Sequence, residues 1–315
     1  MADHVNATSP TRAFIIANEA SGSHSAQLVH DVQTLCAAYL SHTEVHSTTG
    51  PGDATHAVRR ALARPLPPDL VVAIGGDGTV QEVVRSLAGA GGDAVFFAVP
   101  GGTGNSGYKM VWGERPWPEA LKAVLADSGP GGSVRRAQLD LARLAETGQP
   151  VFLGACTGVI ADALITAATL PETGLARYAR AFAETARAYE PYPGRVTVDG
   201  RVVHEGPTVL ANVGGGRYRG GQYLVLPQSL LDDGLLDICV IGDGVAAVDV
   251  PGLTLNAAHM THPATVYARG RRIVVERTDG RRLPLEHDGD YQHGIGPRAT
   301  FEVMPGALTA WAPVE

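Results

Sequence analysis

The residues best suited to chemistry form a short run, Gly75-Gly76-Asp77-Gly78-Thr79, between an apolar stretch (residues 71–74, VVAI) and a helical pattern that begins at Val80. Glycines let a backbone come close to a ligand and turn through positive φ. A helix that starts there adds its positive end, so the N–H groups of such a loop can cradle a phosphate. Phosphate repels a carboxylate. Asp77 therefore points either to a cation or to a proton or hydrogen bond from a second substrate, the parts that phosphoryl transfer requires. Taken alone, the run reads equally well as a tight turn with Asp77 as a helix cap.

A second loop, residues 99–109 (VPGGTGNSGYK), follows the next strand-like segment and again combines glycines such as Gly102 with a hydroxyl, Thr103, and an amide, Asn105. In an open parallel sheet ligands bind beyond the carboxyl ends of the strands, so two such loops would line one crevice. Gly102 to Gly107 has the spacing that opens a P-loop. Tyr108 stands at the lysine position, which excludes that reading and leaves Lys109 as a solvated side chain.

The elements that must hold these loops alternate. Residues 12–18, 43–48, 69–74 and 94–99 read as strands, and residues 25–40, 53–63 and 80–90 carry apolar positions at helical spacing. Strand and helix in alternation with short connections predict a parallel sheet covered by helices. After residues 128–132 (SGPGG) the pattern changes to short strands at 137–144, 196–200, 208–213, 235–241, 272–277 and 299–304. That pattern predicts an antiparallel sandwich, interrupted by a helical insert at about residues 161–189. The expected organisation is an α/β domain over 1–133 and a β-sandwich domain over 134–315, with active-site residues from both and closure gating the reaction.

Composition narrows the function classes. The chain has 315 residues, 44% of them apolar and 18% charged, and a formal net charge of −7. Such a chain is a globular protein with real cores, not a disordered one. The acidic balance argues against a nucleic-acid partner. Cys36, Cys156 and Cys239 are odd in number and lack metal spacing, which predicts reduced thiols and a cytosolic setting. No apolar run is long enough for a membrane span, so membrane contact would be peripheral.

Together, residues 75–84 (GGDGTVQEVV) and 100–105 (PGGTGN) resemble the diacylglycerol kinase catalytic domain superfamily of lipid, sphingosine and ceramide kinases. The resemblance runs along nearly the whole chain. Residues 17–22 (ANEASG) look like the family's first loop, with Glu19 where proline is common. Residues 48–54 (TTGPGDA) look like its Thr-x-x-x-Gly-Asp-Ala element, 231–241 (LDDGLLDICVI) like its Asp-Gly-x-x-Asp segment, and 287–290 (HDGD) like its Asp-Gly-Glu element. NAD kinases share a glycine-aspartate-glycine loop, but their Thr-Pro-Thr-Gly-Ser-Thr-Ala-Tyr type segment is missing.

The resemblance implies an ATP- and Mg²⁺-dependent kinase. ATP would lie against Asn18, Ser21, Thr48, Gly75, Gly76, Asp77, Gly78, Thr79, Val80, Gln81, Gly102, Thr103 and Asn105. The proton acceptor would be Asp290, with Asp288 as the first acid of its element and Asp77 as the alternative base. A structural Mg²⁺ would be held by the Asp233 side chain and the carbonyls of Leu236 and Ile238, since Mg²⁺ takes oxygen ligands. Asp290 is one methylene shorter than the family's glutamate. Ser106, Tyr108 and Lys109 also depart from the pattern, near the expected acceptor side, and leave room for an unusual acceptor. The expected acceptor is a lipid such as diacylglycerol, the alternatives being a soluble apolar metabolite or a nucleotide sensor without turnover. Sandwich edges often pair, which suits a homodimer.

Residues 175–195 form an amphipathic helix candidate with Leu175, Tyr178, Phe182 and Tyr189 on one face. That face is read first as packing against the sandwich, the alternative being a lid or membrane-facing helix. His259 and His262 are three apart and lack the glutamate of a zinc-protease motif, so they read as ordinary loop histidines. Arg217 and Arg219, in a glycine-rich loop, are weak phosphate candidates.

Overall fold

The computed structural model describes residues 9–18, 26–88, 90, 92–129 and 131–314. The chain divides into two compact units, one holding residues up to Leu139 together with those from Gly306 onward, the other Asp140–Pro305.

The first unit is α/β. Its strands β1 (Arg12–Ala17), β2 (His42–Ser47), β3 (Leu70–Gly75) and β4 (Val95–Pro100) are parallel and lie in the order β2-β1-β3-β4. β1, β3 and β4 are almost wholly buried, as their continuous apolar runs require of a sheet covered on both faces. β2 is the edge. It is half-exposed and carries His42, Glu44 and His46, polar groups that discourage pairing with a foreign strand. The helices are α1 (Ala26–Tyr39), α2 (Asp53–Leu62), α3 (Asp77–Ala88), α4 (Ser106–Trp112) and α5 (Trp117–Ala126). α2 shows the local logic: Ala54, Ala57, Val58 and Ala61 bury one stripe, Asp53 opens the helix and Arg59 and Arg60 close it, each charge matched to its end of the dipole. The chain leaves β1 towards β2 on one side and returns to β3 on the other, so the switch point lies between β1 and β3.

The second unit is antiparallel. Its long strand Arg201–Gly214 pairs with Tyr192–Val198 over its first half and with Ala155–Gly158 and Leu236–Gly242 over its second. Leu236–Gly242 is buried throughout: Ile238 and Val240 enter one apolar cluster with Val213, Val275 and Phe301, while Cys239 and Ile241 enter another with Leu210, Val225 and Val250. Two buried faces explain the unbroken LDICVIG run.

Three expectations need correction. The sequence pattern puts all of 134–315 in the sandwich, yet residues from Gly306 return to the first unit. There Ala310 pairs in parallel with Phe96, Trp311 is buried under the Arg136 guanidinium, and the Val314 N–H donates to the Ser133 carbonyl. The helical insert is two helices, Val159–Ala167 and Gly174–Arg187, separated by a segment containing Pro171, which cannot continue a helix. Its aromatic face is divided: Phe182 and Tyr189 pack on the second cluster, whereas Leu175 and Tyr178 are 54% and 45% exposed. His259 is a buried core histidine whose Nε2 and Nδ1 meet the Val225 and Leu253 carbonyls at 3.0 and 3.3 Å. All three cysteines are free and buried.

Candidate active site

The first unit gathers the glycine loops at the carboxyl ends of β1, β3 and β4. Asn18, just past β1, donates its Nδ2 to Thr79 Oγ1 at 3.0 Å across the switch point, while its N–H donates to the Ile74 carbonyl. The two glycine loops touch backbone to backbone. The Gly101 N–H donates to the Gly75 carbonyl at 3.0 Å, and a Cβ on Gly102 would lie 2.2 Å from Gly76 Cα. Gly75 in turn leaves space for Thr79, whose Oγ1 would sit 2.8 Å from an added Cβ. These glycines serve close packing. Gly78 is different: it is exposed, and a Cβ there would meet nothing within 4 Å, so the space above the first turn of α3 is open. The first-turn amides of a helix, at Asp77, Gly78 and Thr79, have no carbonyl partner within it and make the anion-binding end.

The Asp77 carboxylate accepts the N–H groups of Ser106 at 3.1 Å and Gly107 at 3.0 Å, so it caps α4 and ties the second loop to the first. Asn105 closes its own loop, with Oδ1 accepting the Gly102 N–H and Nδ2 donating to the Gly102 carbonyl, and adopts φ 54°. Thr103 is exposed beside it. Val80 and Gln81 are buried, and the Val80 N–H donates to the Gly76 carbonyl, so of the expected run Gly75–Gln81 these last two face the interior. The Thr48 N–H extends β1's ladder to the Ala17 carbonyl. The following turn is held by Asp53, which accepts from Thr49, and by Glu82, which accepts the Gly52 N–H at 2.9 Å. Ser21 lies outside the described residues.

In the second unit, Leu285–His287 and Asp290–Tyr291 form a hairpin through a two-residue turn, Asp288 at φ 53° and Gly289 at φ 90°. Positive φ at both positions is the turn whose twist suits a hairpin, and Asp-Gly is its preferred sequence. The two aspartates expected to be catalytic part company here. Asp288 is buried, and its carboxylate accepts the N–H groups of Phe152, Leu153 and Gly154, the shortest at 2.7 Å. Those bonds anchor the turn to residues 152–154. Asp290 is exposed, and its carboxylate accepts no hydrogen bond from a described residue. A third acid, Glu286, stands outside every motif of the sequence. It is 5% exposed, and burial pushes its carboxyl up to about 7 against the pull of Arg219.

Residues 12–131 match the diacylglycerol kinase catalytic domain, and residues 155–312 match the YegS C-terminal NAD kinase beta sandwich-like domain. A Pseudomonas aeruginosa protein named "Probable lipid kinase YegS-like" is 30% identical over 281 residues, 85% of this chain and 84% of that one. A Bacillus subtilis diacylglycerol kinase is 29% identical over 290 residues, covering 89% and 90%. The chain belongs to the diacylglycerol kinase-like lipid kinase family. The fold agrees: a diacylglycerol kinase structure from Bacillus anthracis superposes with a TM-score of 0.71 at 22% identity, over 96% of this chain and 97% of that one.

The structural metal that the family implies does not fit these residues. The Arg269 guanidinium sits on the Asp233 carboxylate, and its Nε lies 3.3 Å from Asp237 Oδ1. Asp237 also accepts the Tyr267 hydroxyl at 2.7 Å, and burial raises its carboxyl above the usual range. Leu236 and Ile238 stand in the sheet opposite Gly270 and Ala268. The charge that Asp233 would offer a metal is already matched by an arginine, and no group of three or more His, Cys, Asp or Glu among the described residues could hold one. Four further positions have their places in the fold. Ser106 and Tyr108 are buried, the Tyr108 hydroxyl donating to the Arg115 carbonyl, so both serve local packing. The Arg219 guanidinium, a weak phosphate candidate in the sequence, is engaged internally: it donates to Asn212 Oδ1 and to the Gly216 and Tyr218 carbonyls. Lys109 pairs with Glu114 at 2.9 Å.

Proposed function

We propose that the protein transfers the γ-phosphoryl group of ATP to a hydroxyl of a lipid such as diacylglycerol. The observation that carries the reading is the open space at Gly78, over the first turn of α3, in a loop otherwise closed by glycine-to-glycine packing. A phosphate chain seated there meets N–H groups and a helix dipole, and Mg²⁺ enters with the nucleotide as part of the substrate.

Asp290 receives the proton of the acceptor hydroxyl. As that oxygen bonds to the γ-phosphorus, the bond from phosphorus to the β–γ bridging oxygen breaks and ADP leaves. Asp77 supports this chemistry by fixing the second loop against the first. Exposed Leu175 and Tyr178 on helix Gly174–Arg187 suit contact with an apolar acceptor or a lipid surface. No helix among the described residues is long and apolar enough to cross a membrane.

The test is incubation with Mg²⁺ and γ-labelled ATP against dispersed diacylglycerol, other lipid alcohols and soluble hydroxylated compounds, with mass spectrometry of the products. A phosphorylated lipid supports the proposal. A phosphorylated soluble compound overturns the lipid acceptor, and nucleotide binding without any product overturns turnover.

A further inference from the structure

The hairpin that presents Asp290 has a second carboxylate behind it. Glu286 sits in Leu285–His287, flanked in the sheet by Cys156 on one side and Tyr291 on the other. Its sequence neighbours Leu285 and His287 are fully buried, and an apolar residue would be the ordinary choice between them. The Glu286 side chain stays inside and reaches over the turn, where Oε2 accepts the Gly289 N–H at 3.0 Å.

The turn is thus held from two directions. Asp288 ties its first residue to Phe152, Leu153 and Gly154, and the Asp288 N–H donates back to the Gly154 carbonyl at 2.9 Å. Glu286 ties its second residue, which immediately precedes Asp290. Buried acids are rare because removing a carboxylate from water is costly. The charged and titratable groups around Glu286 are Arg219, which favours its ionised form, Asp288 and Asp290, which oppose it, and its two cross-strand neighbours, the Cys156 thiol and the Tyr291 phenol. Burial outweighs them all and leaves its proton exchanging near neutrality.

We infer that Glu286 is a positioning residue for phosphoryl transfer, and that its carboxyl, through the Gly289 N–H, sets how the hairpin presents Asp290. This rests on Asp290 being the proton acceptor. Ionised, Glu286 makes a charge-assisted bond to Gly289, roughly twice as strong as a neutral one, and places negative charge behind the hairpin. Protonated, it loses both effects.

The experiment compares wild type, Glu286→Gln and Glu286→Ala. Glutamine keeps an oxygen for the Gly289 N–H but cannot titrate there, and alanine removes the contact. Rates of lipid phosphorylation are measured from about pH 5.5 to about pH 8.5. Wild-type kcat should rise through about pH 7 with a flat KM for ATP. Glu286→Gln should lose that rise and run about tenfold slower at pH 8, and Glu286→Ala slower still. A Glu286→Gln profile that keeps the wild-type rise overturns the inference.

Failure of the parent reading would look different, because Asp290→Asn would then retain turnover. Stability against pH supplies a readout that needs no turnover. A carboxyl raised from 4.5 to about 7 stabilises the fold when protonated, so wild-type stability should fall as pH climbs between those values. Glu286→Gln should remove that slope, and an unchanged slope overturns the inference even in an inactive protein.

Discussion

Asp77 holds Ser106: its Oδ2 accepts the Ser106 N–H at 3.1 Å while Oδ1 accepts that of Gly107. The acid that looks like a catalyst is also the clamp between two loops. Asp77→Ala should therefore cost about 1–3 kcal/mol of stability, the range for losing a helix cap and charge-assisted bonds. Denaturant unfolding without nucleotide checks this. No loss of stability would return Asp77 to a purely chemical role.

Glycines 78 and 102 should separate packing from binding. Gly102→Ala places a Cβ 2.2 Å from Gly76 Cα, so the loops must part and both stability and nucleotide affinity should fall. Gly78→Ala meets nothing, and in a helix alanine gains about 0.5–1 kcal/mol over glycine. It should stabilise the free protein yet weaken ATP binding at least about tenfold, which is about 1.4 kcal/mol. Calorimetric titration alongside melting curves reads both.

Asp288 and Asp290 stand two residues apart and should fail in opposite ways. Asp288→Asn leaves buried N–H groups poorly matched and should destabilise by about 2–4 kcal/mol. Asp290→Asn changes an exposed side chain, so its stability should shift by less than about 0.5 kcal/mol while turnover is lost. Unfolding and activity measured on the same preparations decide it. Equal destabilisation by both would contradict the assignment.

Arg269 should make a bound divalent ion unnecessary. Melting of the nucleotide-free wild type should not move when Mg²⁺ is added or a chelator is present. Arg269→Met should cost about 1–3 kcal/mol, a buried-pair penalty discounted because the arginine is partly exposed. A wild-type melting temperature that tracks Mg²⁺ through Asp233 would restore the metal.

The parallel sheet was legible because each of its central strands is a short apolar run, and the glycine loops because their residues are neighbours in the chain. Other features depended on partners far along the chain. Nothing local in HDGD says which aspartate turns inward; the N–H groups of residues 152–154 decide it. The Asp233 site reads as a metal site only through the family resemblance, and the arginine that fills it arrives from the distant paired strand Thr265–Gly270. Glu286 left only a faint mark, an acid inside an apolar strand just before an Asp-Gly turn. Pro171 was a readable break in the helical insert that amphipathic spacing concealed.

The return of the chain at Gly306 has a consequence for biosynthesis. A ribosome delivers β1 to β4 first, then the whole antiparallel unit, and only afterwards the segment bearing Ala310 and Trp311 that lies along β4. The unit that begins emerging first is thus the last to be complete. Until residue 310 clears the exit tunnel, β4 waits with an unpaired edge, and a nascent chain stalled before that point would expose it to chaperones.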